Sequence, residues 1–157
     1  MKTAILFCAA LLLVLPAGTA HSQSAGYGGV TLNGGEPPSP KAPPPGFQYV
    51  TWPGFRVSEG GSEIFLQLTG PVTFKEKRKG SRIMITLEKT QVYLKNNLRP
   101  VITRSFNKTP VSQFRLRRLK GDRLRLDIYL RRKASYTLSS KNAGQYHYLI
   151  VSFPPGS

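Results

Sequence analysis

Apolar and polar residues alternate with a period of two through most of this chain, and this pattern constrains its fold more than any other feature. The clearest runs cover residues 64–68, 83–87 and 124–130. Successive side chains of a β-strand point to opposite faces of the sheet, so this period predicts half-buried strands, whereas a helix requires a period of about 3.6. We find no convincing amphipathic helix. The chain is therefore predicted to be all-β.

Turn residues separate these runs, at Gly60-Gly61, Gly70-Pro71, Lys79-Gly80-Ser81, Lys120-Gly121-Asp122 and Lys141-Asn142-Ala143-Gly144. Short strands with such punctuation are typical of a sandwich or barrel. A faint repeat relates 62–68 to 122–128 and 83–87 to 149–153, and each half has a further strand, near 48–57 and near 111–119. We therefore expect each half to form one small sheet, and the two symmetry-related sheets to pack face to face as a compact β-sandwich.

The first twenty residues have the pattern of a secretory signal peptide. Lys2 precedes an unbroken apolar run over 4–15, Pro16 ends it, and Gly18-Thr19-Ala20 offers small residues for cleavage. The run is too short to span a bilayer comfortably, which favours a cleaved signal over a retained helix. We therefore expect a periplasmic protein whose mature chain has no transmembrane anchor and, because Cys8 is the single cysteine, no thiol.

The remaining chain divides into two parts of different composition. Residues 21–46 are rich first in glycine and then in proline, so they are predicted to form a disordered tail. Residues 47–154 contain the alternating runs and are predicted to form the β domain.

The formal net charge of +16 points to an anionic partner. Nucleic acid, anionic lipid and an acidic polymer of the cell envelope all fit such a charge. Export favours the envelope partners, because an exported protein meets nucleic acid rarely.

Several segments give the chain a resemblance to a known family. These are Leu68-Thr69-Gly70-Pro71-Val72, Arg82-Ile83-Met84-Ile85-Thr86-Leu87, Pro110-Val111-Ser112-Gln113-Phe114-Arg115 and the strand over 123–130. Together they resemble an AMIN domain over about 55–153. The resemblance implies paired small β-sheets and a non-catalytic module that binds peptidoglycan, as in periplasmic N-acetylmuramoyl-alanine amidases and type IV pilus secretins. It transfers no defined binding residues, and Thr86 and Ser152 stand where many members have Asp.

Catalytic chemistry is not expected. After signal cleavage only His21, in the tail, and His147, within a strand, remain as histidines, which is too few for a usual zinc site. The seven acids are scattered, and no feature requires two of them to share a cleft. We therefore expect no enzyme, no cofactor and no metal.

The candidate binding residues lie on one predicted hairpin. If Leu116 lies opposite Leu126, Arg115 lies opposite Asp127 and Arg117 opposite Arg125. Because a guanidinium group suits carboxylates, the face bearing Arg115, Arg117, Arg123, Arg125 and Tyr129 is the candidate ligand-binding face. The alternative is a solvated, edge-protecting strand face.

Another basic run and the tryptophan are not included in the candidate ligand-binding face. The basic run formed by Lys75, Lys77, Arg78, Lys79 and Arg82 is read as a solvated turn. Trp52 could stack on a sugar, but its position favours the core.

The leading hypothesis is a periplasmic localisation module that binds peptidoglycan or another anionic envelope polymer. One alternative is a nucleic-acid-binding β domain of OB-like architecture. Another is a protein-interaction subunit of a pilus or secretion machine, within an envelope protein complex.

Overall fold

A computed structural model of the protein describes residues 42–155. It contains ten strands: β1 Gln48–Ser58, β2 Gly61–Leu68, β3 Phe74–Lys79, β4 Arg82–Leu87, β5 Thr90–Val92, β6 Val101–Ile102, β7 Val111–Leu119, β8 Arg123–Leu130, β9 Thr137–Ala143 and β10 Tyr146–Phe153. A short 3₁₀ helix, Lys95–Leu98, lies between β5 and β6. The predicted signal peptide, and the predicted tail as far as residue 41, lie outside the described residues.

The strands form two five-stranded sheets, as the all-β sandwich prediction requires. Sheet A has the order β5-β1-β2-β10-β9, and sheet B has the order β3-β4-β8-β7-β6. All neighbours are antiparallel except β1 and β5. Within residues 42–155, no helix has both the length and the hydrophobicity to cross a membrane.

The inward side chains of both sheets form one hydrophobic core. Sheet A contributes Val50, Ile64, Leu66, Leu68, Leu149, Val151 and Phe153, and sheet B contributes Ile83, Ile85, Leu87, Phe114, Leu116, Leu124, Leu126 and Ile128. The core residues within 64–68, 83–87 and 124–130 are those that the alternation assigned to the interior, whereas Val50 and the β10 residues were not assigned by it. The residues between them along each strand therefore form the two outer faces of the sandwich.

The internal repeat is present, but the strand registers match 62–68 with 124–130, two residues beyond the predicted match with 122–128. The two halves also exchange strands. Sheet A takes β1 and β2 from the first half and β9 and β10 from the second, while sheet B takes β3 and β4 from the first and β7 and β8 from the second. The expectation that each half would form one sheet is therefore wrong. The physical reason is that the segment after β2 and the segment after β8 each cross to the opposite sheet.

The repeat extends to the irregularities of the strands. In β1 a bulge between Val50 and Trp52 shifts the register against β2, and in β7 a bulge between Val111 and Gln113 shifts it against β8. One extra residue in a strand reverses which side chains point outward beyond it. Trp52 and Gln113 therefore occupy corresponding outward positions in the two sheets.

A glycine at the start of β2 is required by its surroundings. Gly61 has a φ of 119°, and a Cβ atom there would lie 2.0 Å from the backbone oxygen of Phe153. We expect Gly61→Ala to lower the free energy of unfolding by about 3 kcal/mol or more, from strain and overlap together. Gly80→Ala is the matched control, because Gly80 has a φ of 56° with nothing within 4 Å, and it should cost about 1 kcal/mol. Urea unfolding of both variants measures the difference, and equal losses would contradict the tight approach at Gly61.

Candidate functional site

The outer face of sheet B carries a dense group of basic side chains. Register and alternation place eight basic side chains on this face, which we call the basic face: Lys75, Lys77, Lys79, Arg82, Arg115, Arg117, Arg123 and Arg125. Among the paired residues of β3, β4, β7 and β8, Asp127 is the acidic residue on this face. Such an excess of cations over acids on one face of a sheet attracts anions.

Asp127 lies at the centre of the basic face and is nevertheless 0% exposed. Its Oδ2 atom is 2.9 Å from Nη2 of Arg82 and 3.1 Å from Nε of Arg117, and its Oδ1 atom is 2.9 Å from Nε of Arg125. None of these three contacts has hydrogen-bond geometry. The hydrogen bond to the carboxylate comes from another atom of Arg125, whose Nη2–H donates to Oδ2 at 3.4 Å. The three arginines are therefore held to the carboxylate mainly by electrostatic attraction. This attraction also holds their side chains in place on the face.

The predicted register of the β7–β8 hairpin is confirmed. Arg115 lies opposite Asp127, Leu116 opposite Leu126, and Arg117 opposite Arg125. Asp127 nevertheless pairs with Arg82, Arg117 and Arg125, so the cross-strand pair expected between Arg115 and Asp127 is not formed. The carboxylate thus offsets the repulsion between Arg117 and Arg125.

Arg115 is the half-buried cation of this face that lacks an acidic partner within residues 42–155. Its Nε atom is buried without a hydrogen bond, as are those of Arg82, Arg117 and Arg125. Each guanidinium group has five N–H donors, so four arginines present about twenty donors, and one carboxylate offers about four acceptor sites. The arrangement can therefore accept further carboxylate or phosphate oxygens without removing Asp127 from its place.

The remaining predicted residues lie on the same face but have other contacts. The Nε–H of Arg123 donates to the backbone oxygen of Lys120 at 3.0 Å, which holds this side chain at the hairpin turn. The ring of Tyr129 has the Cζ atom of Arg82 at 5.2 Å from its centroid, a cation–π contact. Sheet B therefore brings all five predicted residues to one face, with the Arg82 guanidinium already over one ring face of Tyr129.

The sequence interpretation missed four residues of this face. Arg82 pairs with Asp127, and Lys75, Lys77 and Lys79 follow the neighbouring edge strand β3 instead of a turn. Alternation with the buried Ile83, Ile85 and Leu87 would have placed Arg82 on an outer face. Alternation could not show that β4 lies beside β8, because these strands become neighbours only through the exchange of strands between the two halves.

Three other residues lie outside the basic face, Trp52, His147 and Tyr136. Trp52, expected in the core, is 49% exposed because the β1 bulge turns it outward, so that expectation is wrong. His147 lies in β10 with its Nδ1 atom 2.7 Å from Oδ1 of Asn142. Burial, and then a hydrogen bond to Glu76, raise the pKa of Tyr136 to about 12.

A family model described as the AMIN domain matches residues 54–153. The chain belongs to the AMIN domain family. AMIN domains are non-catalytic modules that bind peptidoglycan and localise proteins in the periplasm. A search for similar curated proteins gave no significant match.

The matched region contains both sheets from the middle of β1 to the end of β10, so the basic face lies within the AMIN domain. Among residues 42–155, no three His, Cys, Asp or Glu side chains come together in a group that could hold a metal ion. The grouped ionisable side chains of this AMIN domain are arginines around one acid, an arrangement suited to holding an anion in place.

Proposed function

We propose that this protein is a non-catalytic peptidoglycan-binding and localisation module of the periplasm. In this proposal residues 1–20 direct export and are cleaved, residues 21–46 form a tail, and residues 47–154 form the binding domain. The basic face binds carboxylates on the stem peptides of the wall polymer. The module itself performs no reaction, and it positions whatever envelope complex it belongs to.

The observation that carries the proposal is the arginine cluster around Asp127. An arginine on a surface normally loses side-chain entropy when it binds a ligand. Here the buried carboxylate already restrains Arg82, Arg117 and Arg125, so less freedom remains to be lost. Arg115 adds a neighbouring guanidinium group whose charge has no acid partner among the described residues, and stem-peptide carboxylates suit its planar fork.

Sedimentation with purified, insoluble peptidoglycan sacculi tests the proposal. At near-physiological salt we expect the protein to sediment with the sacculi, and we expect excess duplex DNA to leave this binding intact. If DNA removes the protein from the sacculi, the basic face binds polyanions in general and the nucleic-acid alternative gains support. If folded protein stays in the supernatant, the wall hypothesis fails and an interaction role in a pilus or secretion machine takes its place.

A further inference from the structure

The outer face of sheet A has a different chemistry from the basic face. Three neighbouring strands, β1, β2 and β10, place Trp52, Gln67 and Tyr148 in one row across the sheet, and Gly54, Phe65 and Ile150 in the next row. We call the surface formed by Trp52, Phe65, Gln67 and Tyr148 the aromatic platform.

The two rows of the platform correspond to rows of the basic face through the internal repeat. In the hairpin register and the matching bulges, Trp52 corresponds to Gln113, Gly54 to Arg115, and Phe65 to Asp127. The same arrangement of strands thus carries arginines around an acid on sheet B and aromatic rings on sheet A. Each outer face therefore has its own recognition chemistry.

The ring of Phe65 extends over the neighbouring strand because Gly54 leaves room for it. A Cβ atom at Gly54 would lie 2.1 Å from the Cζ atom of Phe65, so the ring occupies the space above the glycine. The ring centroid of Tyr148 is 6.3 Å from that of Phe65, with a tilt of 55° between the planes. On the same face Trp52 is 49% exposed, which is unusual for the largest apolar side chain.

Polar groups with fixed positions lie among these rings. The side-chain amide of Gln67 donates from Nε2 to the hydroxyl of Tyr148 at 2.9 Å, and its Oε1 atom accepts from the hydroxyl of Thr51 at 2.9 Å. The Tyr148 hydroxyl accepts in this network, and no acceptor for its own hydrogen occurs among the described residues. A donor is therefore available beside the rings.

Few charged side chains border the platform. On β1 and β2, Arg56 and Glu63 form an ion pair with each other, and on β9 Lys141 lies opposite Tyr148 at the edge of the platform. The platform itself consists of apolar rings with a few oriented polar groups, which do not suit a carboxylate. It does suit a pyranose ring, which offers an apolar C–H face for stacking and hydroxyl or amide groups at its rim.

We propose that the aromatic platform binds the uncharged glycan backbone of the polymer, stacking an N-acetylhexosamine ring on Trp52 and hydrogen-bonding it through Gln67 and Tyr148. The choice of polymer rests on the proposed function of the basic face. The module then has two faces of unlike specificity, one for the carboxylates of the wall polymer and one for its sugars.

The single tryptophan of the chain makes the test specific to the site. We would titrate the protein with a β-1,4-linked N-acetylglucosamine tetramer, which has no carboxylate, and follow tryptophan emission. The expected result is a saturable blue shift as the sugar covers Trp52. By calorimetry, Trp52→Ala should weaken binding about tenfold and Trp52→Phe should retain most of it.

Phe106→Ala is the matched control, because Phe106 is 47% exposed but lies in the loop between β6 and β7. It should leave tetramer binding unchanged. An emission spectrum that stays constant up to the solubility of the tetramer would overturn this inference, even if the protein sediments with sacculi. Tetramer binding without sedimentation would instead support the platform and reject the proposed role of the basic face.

Discussion

Asp127→Asn is expected to lower the thermal midpoint of unfolding by more than about 10 °C, although the side chain keeps its size. The carboxylate is 0% exposed and forms ion pairs with Arg82, Arg117 and Arg125. Removing one partner of a buried ion pair costs about 3–5 kcal/mol. We expect the lower end of that range, because the side chains of Arg82 and Arg117 are 32% and 42% exposed and can turn partly toward water.

Asp122→Asn provides the matched control for this experiment. Asp122 is an exposed acid in the turn of the same hairpin, with a φ of 52° that asparagine also tolerates. Its substitution removes the same charge and should shift the midpoint by only a degree or two, as expected of about 0.5 kcal/mol at a surface position. Phosphate should restore stability to Asp127→Asn more than to the control, since an anion can replace the lost carboxylate. Equal midpoints for the two variants would refute the structural role of Asp127.

The double substitution Arg115→Gln and Lys77→Gln is expected to weaken binding to sacculi by tenfold or more while leaving the thermal midpoint nearly unchanged. Both residues lie on the basic face, in the row that crosses Met84 and Asp127. Within the described part of the chain neither pairs with an acid, so their removal breaks no ion pair. Each charge-assisted hydrogen bond lost to a carboxylate ligand should cost about 1.5 kcal/mol. Sedimentation at several sacculi concentrations gives the change in affinity.

The control for this pair removes two positive charges elsewhere. Lys95→Gln and Lys108→Gln change exposed residues of the 3₁₀ helix and of the loop before β7, and they lower the net charge equally. If attraction to the wall were a matter of net charge alone, both double variants would lose affinity to the same degree. Affinity lost only by the Arg115 and Lys77 variant supports recognition by the basic face.

Arg117 and Arg125 are less suitable targets, although sequence alone makes them attractive. Both pair with Asp127, so replacing them together would leave a buried carboxylate with only Arg82 beside it. Binding and stability would fall at the same time. The structure thus separates cations that hold the face together from cations that are free to bind.

The hairpin of β7 and β8 illustrates how much the sequence can predict. Leu116 and Leu126 must both face the core, and Gly121 provides the turn, so the positions of Arg115 opposite Asp127 and of Arg117 opposite Arg125 followed from alternation. Alternation identifies the residues that face outward on each strand. It does not tell which strands become neighbours, and for this reason Arg82 was not placed beside Asp127.

The bulge in β1 shows a second limit. Val50 and Trp52 are two residues apart, so an unbroken strand would point both into the core, as the sequence interpretation assumed for Trp52. The bulge between them inserts one residue and reverses the side on which Trp52 lies. A bulge depends on contacts across the sheet and leaves no signal in the period of a single strand.

The most direct test of the central claim is a nuclear magnetic resonance titration of the protein with a free peptidoglycan stem peptide, which carries carboxylates but no sugar. We predict that the largest shift changes occur in the backbone amides of β4, β7 and β8 and in the Nε–H signal of Arg115. Shift changes confined to other parts of the domain, or none at millimolar peptide, would contradict the assignment of carboxylate binding to the basic face.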